Sequence, residues 1–250
     1  MSTVWVFGST GSIGKVLCEA LLDRGDNVIS FTSSKNSNLS LHFELQTNPR
    51  ISFQEFDLSN LDDLDCLISL SEDPECTPTH VIFLARGRVP LDSILDDAAW
   101  GEIAIHDIMI SMMVPMRIGM KLASKPDSDL KTITFVSSQY AIVAQDPKLY
   151  ADPNSQISSI YSATRGGIIS GARALGVFAG KNGIRVNSLI LGGVEETTKD
   201  DLKIAIESRL PTKKMLTADN ACDWLLFLAS EKSVGAISSP IIVDNGWTSI

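Results

Sequence analysis

Hydrophobic residues occur along this chain in short runs rich in β-branched and aromatic side chains, and these runs alternate with helical patterns. Such runs predict β-strands. Seven segments fit the description: TVWVF, NVISFT, ISFQEF, THVIFLA, TITFVS, IRVNSLIL and PIIVD. Several are apolar at every position rather than at alternate positions, which indicates strands buried on both faces of a sheet.

The segments between the strands have the spacing of amphipathic helices. After the first strand, Ile13, Val16, Leu17, Ala20 and Leu21 mark one helical face. Gly25 is predicted to end this helix, as a C-terminal glycine does. The longest helices are predicted over residues 102–124 and 158–181. Alternation of strands and helices predicts an α/β fold, a Rossmann-like doubly wound parallel sheet with helices on both faces.

Composition narrows the class of protein. No linker or charged block divides the 250 residues, so we expect one domain over residues 1–250. A formal charge of −9 argues against nucleic acid as a partner. The four cysteines form no CxxC pair and no cluster with the histidines, which favours reduced thiols and no metal site. No basic leader precedes the first strand and no apolar run approaches membrane-spanning length, so we expect a soluble cytoplasmic protein without a membrane partner.

A glycine-rich stretch, GSTGSIG, lies between the first strand and the first helix. Glycines at this place permit a tight turn, let the backbone approach a pyrophosphate and allow close strand–helix packing. The helix N-terminus adds N–H groups and the positive end of its dipole. The stretch therefore predicts a dinucleotide site, with a merely tight turn as the alternative; its candidate cofactor-binding residues are Gly8, Ser9, Thr10, Gly11, Ser12, Ile13 and Gly14.

The end of the second strand bears on the choice between NAD(H) and NADP(H). An Asp or Glu there would bind a ribose 2′-hydroxyl and repel a 2′-phosphate. This chain has no acid there but hydroxyls and one cation, in Thr32, Ser33, Ser34 and Lys35. The residues favour NADP(H) over NAD(H); a solvated polar turn in an NAD-dependent protein is the alternative.

Asp57 follows the third strand and has two interpretations. Its carboxylate is placed to accept a hydrogen bond from an adenine amino group. It is equally suited to cap the following helix, since aspartate is a good N-cap residue.

The candidate catalytic pair is Tyr161 and Arg165. Of the three tyrosines, only Tyr161 is followed four positions later by a basic residue. Residues at this spacing share a helix face, so Arg165 would flank whatever Tyr161 touches and stabilise a phenolate during proton transfer. Ser137 and Ser138 end the fifth strand, where a hydroxyl would bind a carbonyl oxygen. The alternatives are a serine turn and a tyrosine on a helix surface.

Together these residues resemble the short-chain dehydrogenase/reductase family over the whole chain. The glycine loop, Asp57, Ser138 and the YSATR motif are similar to the family's cofactor loop, adenine contact, catalytic serine and tyrosine–lysine motif. The resemblance implies that serine orients a carbonyl, tyrosine passes a proton, the cation binds the nicotinamide ribose and NAD(P)H delivers hydride. By the same likeness, further cofactor contacts are expected at Leu58, Leu84, Ala85, Arg86, Gly192 and Val194.

The sequence departs from that family at two of four catalytic positions. Arg165 stands where the family has lysine, and Ser111 appears where it has an asparagine that supports a relay water. Arginine keeps the charge and can donate to ribose hydroxyls, but it does not release a proton near neutral pH. We therefore expect retained cofactor binding with altered or slow chemistry.

The sequence specifies the substrate pocket and the subunit assembly less closely than the cofactor site. The loops after the fourth, fifth and sixth strands are expected to line the substrate pocket, with residues 195–210 as a lid; candidates are Arg86, Arg88, Gln139, Gln145 and residues 192–194. The two arginines are suited to a substrate carboxylate or phosphate, or equally to solvent or the cofactor phosphate. Glycines within the Tyr161 helix and a methionine-rich stretch before it predict close helix packing, and we expect a homodimer or homotetramer.

Three functional hypotheses follow. The leading one is an NADP(H)-dependent oxidoreductase acting on a carbonyl/alcohol pair, for example in a sugar or another polar metabolite. The second is a non-catalytic nucleotide-binding protein that kept the fold without turnover. The third is an epimerase or dehydratase that uses nicotinamide transiently.

Overall fold

The computed structural model describes residues 2–33, 45, 47–87, 96–125, 128–150 and 158–249. Within them, all seven predicted strands are present and form one parallel sheet in the order β3-β2-β1-β4-β5-β6-β7. The strands are β1 Thr3–Phe7, β2 Asn27–Thr32, β3 Ile51–Glu55, β4 His80–Phe83, β5 Thr132–Ser138, β6 Arg185–Leu191 and β7 Pro240–Val243.

Helices connect the strands and cover both faces of the sheet. They are α1 Ser12–Asp23, α2 Leu64–Leu70, α3 Asp97–Ile108, α4 Val114–Ala123, α5 Ser159–Gly180, α6 Asp200–Arg209 and α7 Ala218–Leu228. Gly25 follows α1 with a φ of +95°, as expected of the residue that ends a helix. The predicted doubly wound fold is confirmed.

The helix predicted over residues 102–124 differs from the prediction at its start and in its middle. It begins five residues earlier because Asp96 caps it, accepting a hydrogen bond from the Ala99 backbone N–H at 2.9 Å. A π-helical segment, Met109–Met113, separates α3 from α4. Such segments change the direction in which side chains point and are frequent at functional sites.

The sheet is buried on both faces, as the apolar strands predicted. Strand β1 shows why: successive side chains point to opposite faces, so Trp5 and Phe7 enter one core and Val4 and Val6 the other. Stacked rings cross four neighbouring strands on the first face, with centroids 4.3–4.9 Å apart; they belong to Phe31, Phe7, Phe83 and Phe135. With both faces covered, the loops at the carboxyl ends of the strands are left to form a site.

The glycines of α5 let other parts of the same chain pack closely against it. A Cβ at Gly167 would lie 2.5 Å from Met112 Sδ, and one at Gly171 would lie 3.0 Å from Met116 Sδ. Packing against the methionine-rich segment therefore offsets the low helix propensity of these glycines. The prediction of close packing is confirmed within the chain.

The stretch Asp97–Ala123 is, by length and composition alone, apolar enough to cross a membrane. The expectation that no segment reaches that length was therefore wrong. Its second half packs on the sheet, where Val114, Ile118 and Leu122 enter the core. Core helices pass the same compositional test, so the finding does not by itself indicate a membrane protein.

Candidate active site

A crevice of about 470 Å³ opens at the carboxyl ends of the strands, where β1 lies between β2 and β4. The chain reverses its winding direction there, which is where open α/β sheets bind ligands. The loops after β1, β4, β5 and β6 and the first turns of α5 line it. The crevice brings together these predicted site residues: Gly8, Gly11, Ser12, Ile13, Gly14, Leu84, Arg86, Ser138, Tyr161, Arg165, Gly192 and Val194.

The glycine turn after β1 is shaped by close backbone contacts. Gly8 has a φ of +91°, and a Cβ there would lie 2.5 Å from the Ala85 backbone nitrogen. A Cβ at Gly14 would lie 2.4 Å from the Gly8 carbonyl oxygen, so this position brings α1 onto the turn. Gly11 differs, because the only atom near its Cβ position among the described residues is the Gly8 oxygen at 3.8 Å. Gly11 therefore keeps open space at the mouth of the turn.

The N-terminus of α1 faces this open space without a side-chain cap. Gly11 is the N-cap residue and has extended backbone angles. The first backbone N–H groups of a helix lack partners within it and carry the positive end of the dipole. This end of α1 is therefore suited to a phosphate group.

Other predicted cofactor residues lie outside the crevice lining. Ser9 is fully buried and its Oγ lies 2.5 Å from Ser30 Oγ, so its hydroxyl joins β1 to β2. The side chain of Leu58 lies in the hydrophobic core, so its predicted cofactor contact was wrong for the side chain. Thr10, Ala85 and, at the end of β2, buried Thr32 and exposed Ser33 are also outside the lining. Ser34, Lys35 and Arg88 lie outside the described residues.

Asp57 closes a turn rather than capping a helix. Its Oδ1 accepts a hydrogen bond from the Ser59 backbone N–H at 2.8 Å. The next helix begins at Leu64, too far along the chain for Asp57 to be its cap. The helix-cap interpretation was therefore wrong, and the adenine contact stays a prediction.

Tyr161 and Arg165 share a face of α5, as their spacing predicted. Ser158 caps this helix by accepting from the Tyr161 backbone N–H at 3.2 Å, which fixes where the first turn begins. The Arg165 guanidinium carbon lies 4.7 Å from the centroid of the Tyr161 ring, a cation–π distance. The backbone carbonyl of Arg165 accepts from Ser137 Oγ at 2.8 Å, which fastens the helix to the end of β5.

Sequence reasoning missed the partner of Arg165, which is Asp107 on α3. Arg165 Nη2 donates to Asp107 Oδ1 at 3.3 Å and to Ser111 Oγ at 2.9 Å. Ser111 Oγ also donates to Asp107 Oδ1, at 2.7 Å. Asp107 is fully buried and Arg165 is 4% exposed, so the predicted cation belongs to a buried ion pair.

Gly87 and the π-helical segment bring this cluster together. A Cβ at Gly87 would lie 2.6 Å from Asp107 Cα, so only glycine lets the strand end approach α3. Its backbone N–H points at Asp107 Oδ1 and Ser111 Oγ, at 3.2 and 3.3 Å. Ser111 is buried and is not part of the crevice lining. It contacts Arg165 and thereby reaches the site through that residue, and its catalytic role stays a prediction.

Ser138 and Gln139 stand at the end of β5 and line the crevice. Ser138 Oγ accepts from the Tyr140 backbone N–H at 3.3 Å, and the residue lines the crevice. Gln139 also lines it while being only 3% exposed, and its Oε1 would lie 3.2 Å from a Cβ at Gly192. No group among the described residues hydrogen-bonds to the Gln139 side-chain amide. A side-chain amide that lines the crevice without a partner in the described part of the chain is suited to bind a ligand.

Hydroxyl groups complete this wall. Tyr140 and Tyr150 line the crevice and their oxygens lie 3.4 Å apart. Burial raises the pKa of Tyr150, and its contact with Tyr140 raises it further, so its hydroxyl stays neutral. Gln145 Oε1 accepts from the Ser158 backbone N–H at 2.9 Å, which leaves its NH₂ group as a donor at the wall.

The segment predicted as a lid lies over the crevice. Thr197, Thr198, Leu202 and Ile206 line it from this side. The far end of α6 is held by Arg209, which pairs with Asp146 and lies 5.0 Å from the centroid of the Trp247 ring. The ion pair is at the surface and can break at small cost, whereas the Trp247 ring is buried.

Comparison with known proteins agrees with this geometry. A family model described as enoyl-(acyl carrier protein) reductase matches residues 120–248, which include β5, α5 and β7. The chain is also 33% identical over 256 residues to the "probable galactose dehydrogenase GalD" of Rhizobium meliloti, covering 97% of this chain and 93% of that protein. This chain belongs to the short-chain dehydrogenase/reductase family.

Other short-chain dehydrogenase/reductase relatives match over similar lengths. The post-translational flagellin modification protein A of Campylobacter coli is 24% identical, over 98% of this chain and 97% of that protein. Among solved structures, 4-hydroxyisoleucine dehydrogenase complexed with NADH superposes with a TM-score of 0.81 at 19% identity, over the full length of both chains. The chain therefore belongs to a family of oxidoreductases and has a Rossmann-like fold.

Proposed function

We propose that this protein is an NADP(H)-dependent oxidoreductase that interconverts a carbonyl and an alcohol in a small polar molecule. The observation that carries the proposal is that Ser138 and Tyr161 line the same crevice as the uncapped N-terminus of α1. A proton-transfer pair and a phosphate-binding helix end in one crevice are what a nicotinamide-dependent reduction requires.

The glycine turn supports a dinucleotide rather than a smaller anion. Gly11 leaves open space beside the first backbone N–H groups of α1, which suits a pyrophosphate. Gly192 and Val194 line the other end of the crevice. A solved relative of the same fold contains NADH. The residues present therefore fit a nicotinamide dinucleotide.

When bound, the nicotinamide ring supplies or accepts the hydride. The rest of the chemistry belongs to the chain itself. Ser138 holds the substrate oxygen by a hydrogen bond, and the Tyr161 hydroxyl gives that oxygen its proton in reduction or removes it in oxidation. Arg165 lies against the Tyr161 ring, where its charge favours the phenolate.

The preference for NADP(H) is supported by the absence of a carboxylate at the end of β2. Thr32 and Ser33 occupy this position among the described residues, and Lys35 follows in the sequence. The test is to compare the dissociation constants of NADPH and NADH for the protein and for Lys35→Glu. We expect the wild-type preference for NADPH to be lost in this variant. Lys232→Glu, at an exposed position before β7, is the control and keeps it; equal wild-type affinities would contradict the preference.

The substrate class is supported by the polar, uncharged side chains that line one part of the crevice. Gln139, Gln145, Tyr140 and Tyr150 line it with amide and hydroxyl groups. Such groups recognise hydroxyls by hydrogen bonds, as a sugar or polyol requires. The relative named as a probable galactose dehydrogenase agrees with this class. We therefore propose a polyhydroxylated substrate.

A panel assay tests the activity itself. NADPH oxidation is followed at its absorbance band with aldoses, ketoses and simple ketones, and NADP⁺ reduction with the matching alcohols. Turnover with hydroxylated compounds is expected. Absence of binding to either dinucleotide would overturn the proposal.

A nucleotide-binding protein without turnover is the second candidate. The observation in its favour is the Asp107–Arg165 ion pair, because Asp107 offsets the charge that would assist Tyr161. Tight NADPH binding with no turnover across the panel would select it.

We further propose a homodimer or homotetramer. Exposed apolar side chains lie on α3, the π-helical segment and α5, including Ile105, Met113 and Val177, the last of which is 76% exposed. Light scattering coupled to gel filtration measures the assembly, and a monomer would contradict it. A cytoplasmic location is part of the same proposal and rests on the sequence alone.

A further inference from the structure

The surroundings of Arg165 differ from those of an isolated active-site cation. Its Nη2 is shared between Asp107 Oδ1 and Ser111 Oγ, and Ser111 bridges back to the same carboxylate oxygen. The three side chains come from α3, the π-helical segment and α5, and all are at most 4% exposed. Arg165 alone reaches the crevice, so the cluster holds it from behind.

The ion pair is poorly suited to a purely stabilising role. Asp107 Oδ2 and Arg165 Nε are buried and have no hydrogen-bond partner among the described residues. Burying two charges removes their hydration, and a pair with unsatisfied atoms recovers this loss only in part. Apolar side chains of similar volume would be at least as stable there. An ion pair at this position therefore points to a role in the site that Arg165 faces.

The geometry gives Asp107 two effects on Tyr161. It holds the guanidinium, whose carbon is 4.7 Å from the Tyr161 ring centroid. Its negative charge, at ion-pair distance from Arg165, also opposes the positive charge that acts on the ring. Other ionisable groups on the crevice wall are Arg86 after β4 and Tyr140 and Tyr150 after β5. Tyr161 thus has the Asp107–Arg165 pair beside its ring, and exposed Arg86 lines the same crevice.

We propose that Asp107 is a positioning residue for the reaction, and that the Asp107–Arg165 pair, rather than Arg165 alone, sets the pH range in which Tyr161 transfers its proton. The inference rests on the proposed function, because it concerns the proton step of that same reaction. It also gives the arginine a function in this site, because a guanidinium stays charged while one of its nitrogens binds both a carboxylate and a serine hydroxyl.

The test uses the acidic limb of the pH profile of kcat for alcohol oxidation with NADP⁺. Oxidation needs the deprotonated form of Tyr161, so the rate falls towards acidic pH. Asp107→Asn keeps the shape of the side chain and removes its charge, leaving the guanidinium unopposed. We expect the acidic limb to move to lower pH by about one unit. This shift lies between the small effect of one nearby charge in water and its large effect in a protein interior.

The double variant Asp107→Asn/Arg165→Gln supplies the matched control. It replaces a neutral ion pair by two neutral amides, so we expect a lower rate with the limb within a few tenths of a unit of its wild-type position. If Arg165 acted alone, Asp107→Asn would leave the limb in place and the double variant would move it to higher pH. That result would overturn the inference.

The same comparison remains decisive if Asp107→Asn does not fold. The double variant contains no buried charge, and its limb position against the wild type distinguishes the two accounts by itself. Wild-type protein without any turnover would instead contradict the proposed function, so the two failures are told apart.

Discussion

Asp107 and Arg165 are 58 positions apart in the sequence, yet their side chains form a buried ion pair with Nη2 and Oδ1 3.3 Å apart. The pair joins α3 to α5 directly behind the candidate proton donor. The family pattern has lysine where this chain has Arg165. The pair shows that this arginine binds an acidic residue on a different helix. The two residues are therefore best understood as one unit.

The first prediction concerns stability. Asp107→Ala leaves the Arg165 guanidinium buried without a counter-ion, so the free energy of unfolding should fall by about 3–5 kcal/mol. Urea unfolding measures it. The double variant Asp107→Leu/Arg165→Met removes both charges and should lie within about 1–2 kcal/mol of the wild type. A loss below about 1 kcal/mol in Asp107→Ala would show that the guanidinium is hydrated, contrary to its burial.

Gln139 offers a test of the substrate class. Gln139→Leu removes the amide that has no protein partner and keeps an apolar side chain of similar size. We expect KM for a hydroxylated substrate to rise about 10- to 100-fold, the scale of one or two lost hydrogen bonds, with NADPH affinity unchanged. Gln54→Leu on the edge strand β3 is the control. An unchanged KM would remove Gln139 from substrate recognition.

Arg209 tests the lid. Arg209→Gln breaks the pair with Asp146 at the end of α6 and weakens the contact with Trp247. Because the ion pair is at the surface, we expect KM to rise only about two- to fivefold, with kcat little changed. Arg173→Gln, at an exposed position on α5, removes the same charge away from the lid. Equal effects of the two variants would indicate a general charge effect instead of lid closure.

His80 predicts a pH dependence of stability. It is buried with Nδ1 2.8 Å from Thr132 Oγ1, and burial, assisted by the charge of Arg24, lowers its pKa from 6.5 to about 4. Between these values the unfolded chain binds more protons than the folded one, so acid favours unfolding. The stabilisation is complete above about pH 6.5 and is lost as the pH falls to about 4, by up to about 3 kcal/mol.

Urea unfolding across this pH window checks the prediction. His80→Gln should flatten the slope, whereas His106→Gln at an exposed position should keep it. A slope that survives in His80→Gln would assign the pH dependence to other groups.

The sequence predicted the sheet well because each strand carries its own signal. Trp5 and Phe7 enter one core and Val4 and Val6 the other, so the strand is apolar throughout and its burial on both faces is readable locally. The Tyr161–Arg165 pair was equally readable, since both residues lie on one helix at a spacing that the helix itself sets.

Asp107 was not predicted because its role depends on contacts between helices distant in sequence. The available signal was a carboxylate four positions before Ser111 in an apolar stretch, which predicts a shared helix face but names no partner. The early start of α3 had a clearer signal, the capping side chain of Asp96. The π-helical segment has no comparable mark, since its residues favour an ordinary helix equally well.

The most direct test of the central claim is the rate of NADPH oxidation by Tyr161→Phe with a substrate that the wild type reduces. This variant removes one hydroxyl and keeps the ring beside Arg165. We predict that kcat falls by about 10²- to 10⁴-fold, the usual contribution of a positioned proton donor, while the dissociation constant of NADPH stays within about twofold. A variant that retains the full rate would contradict the account.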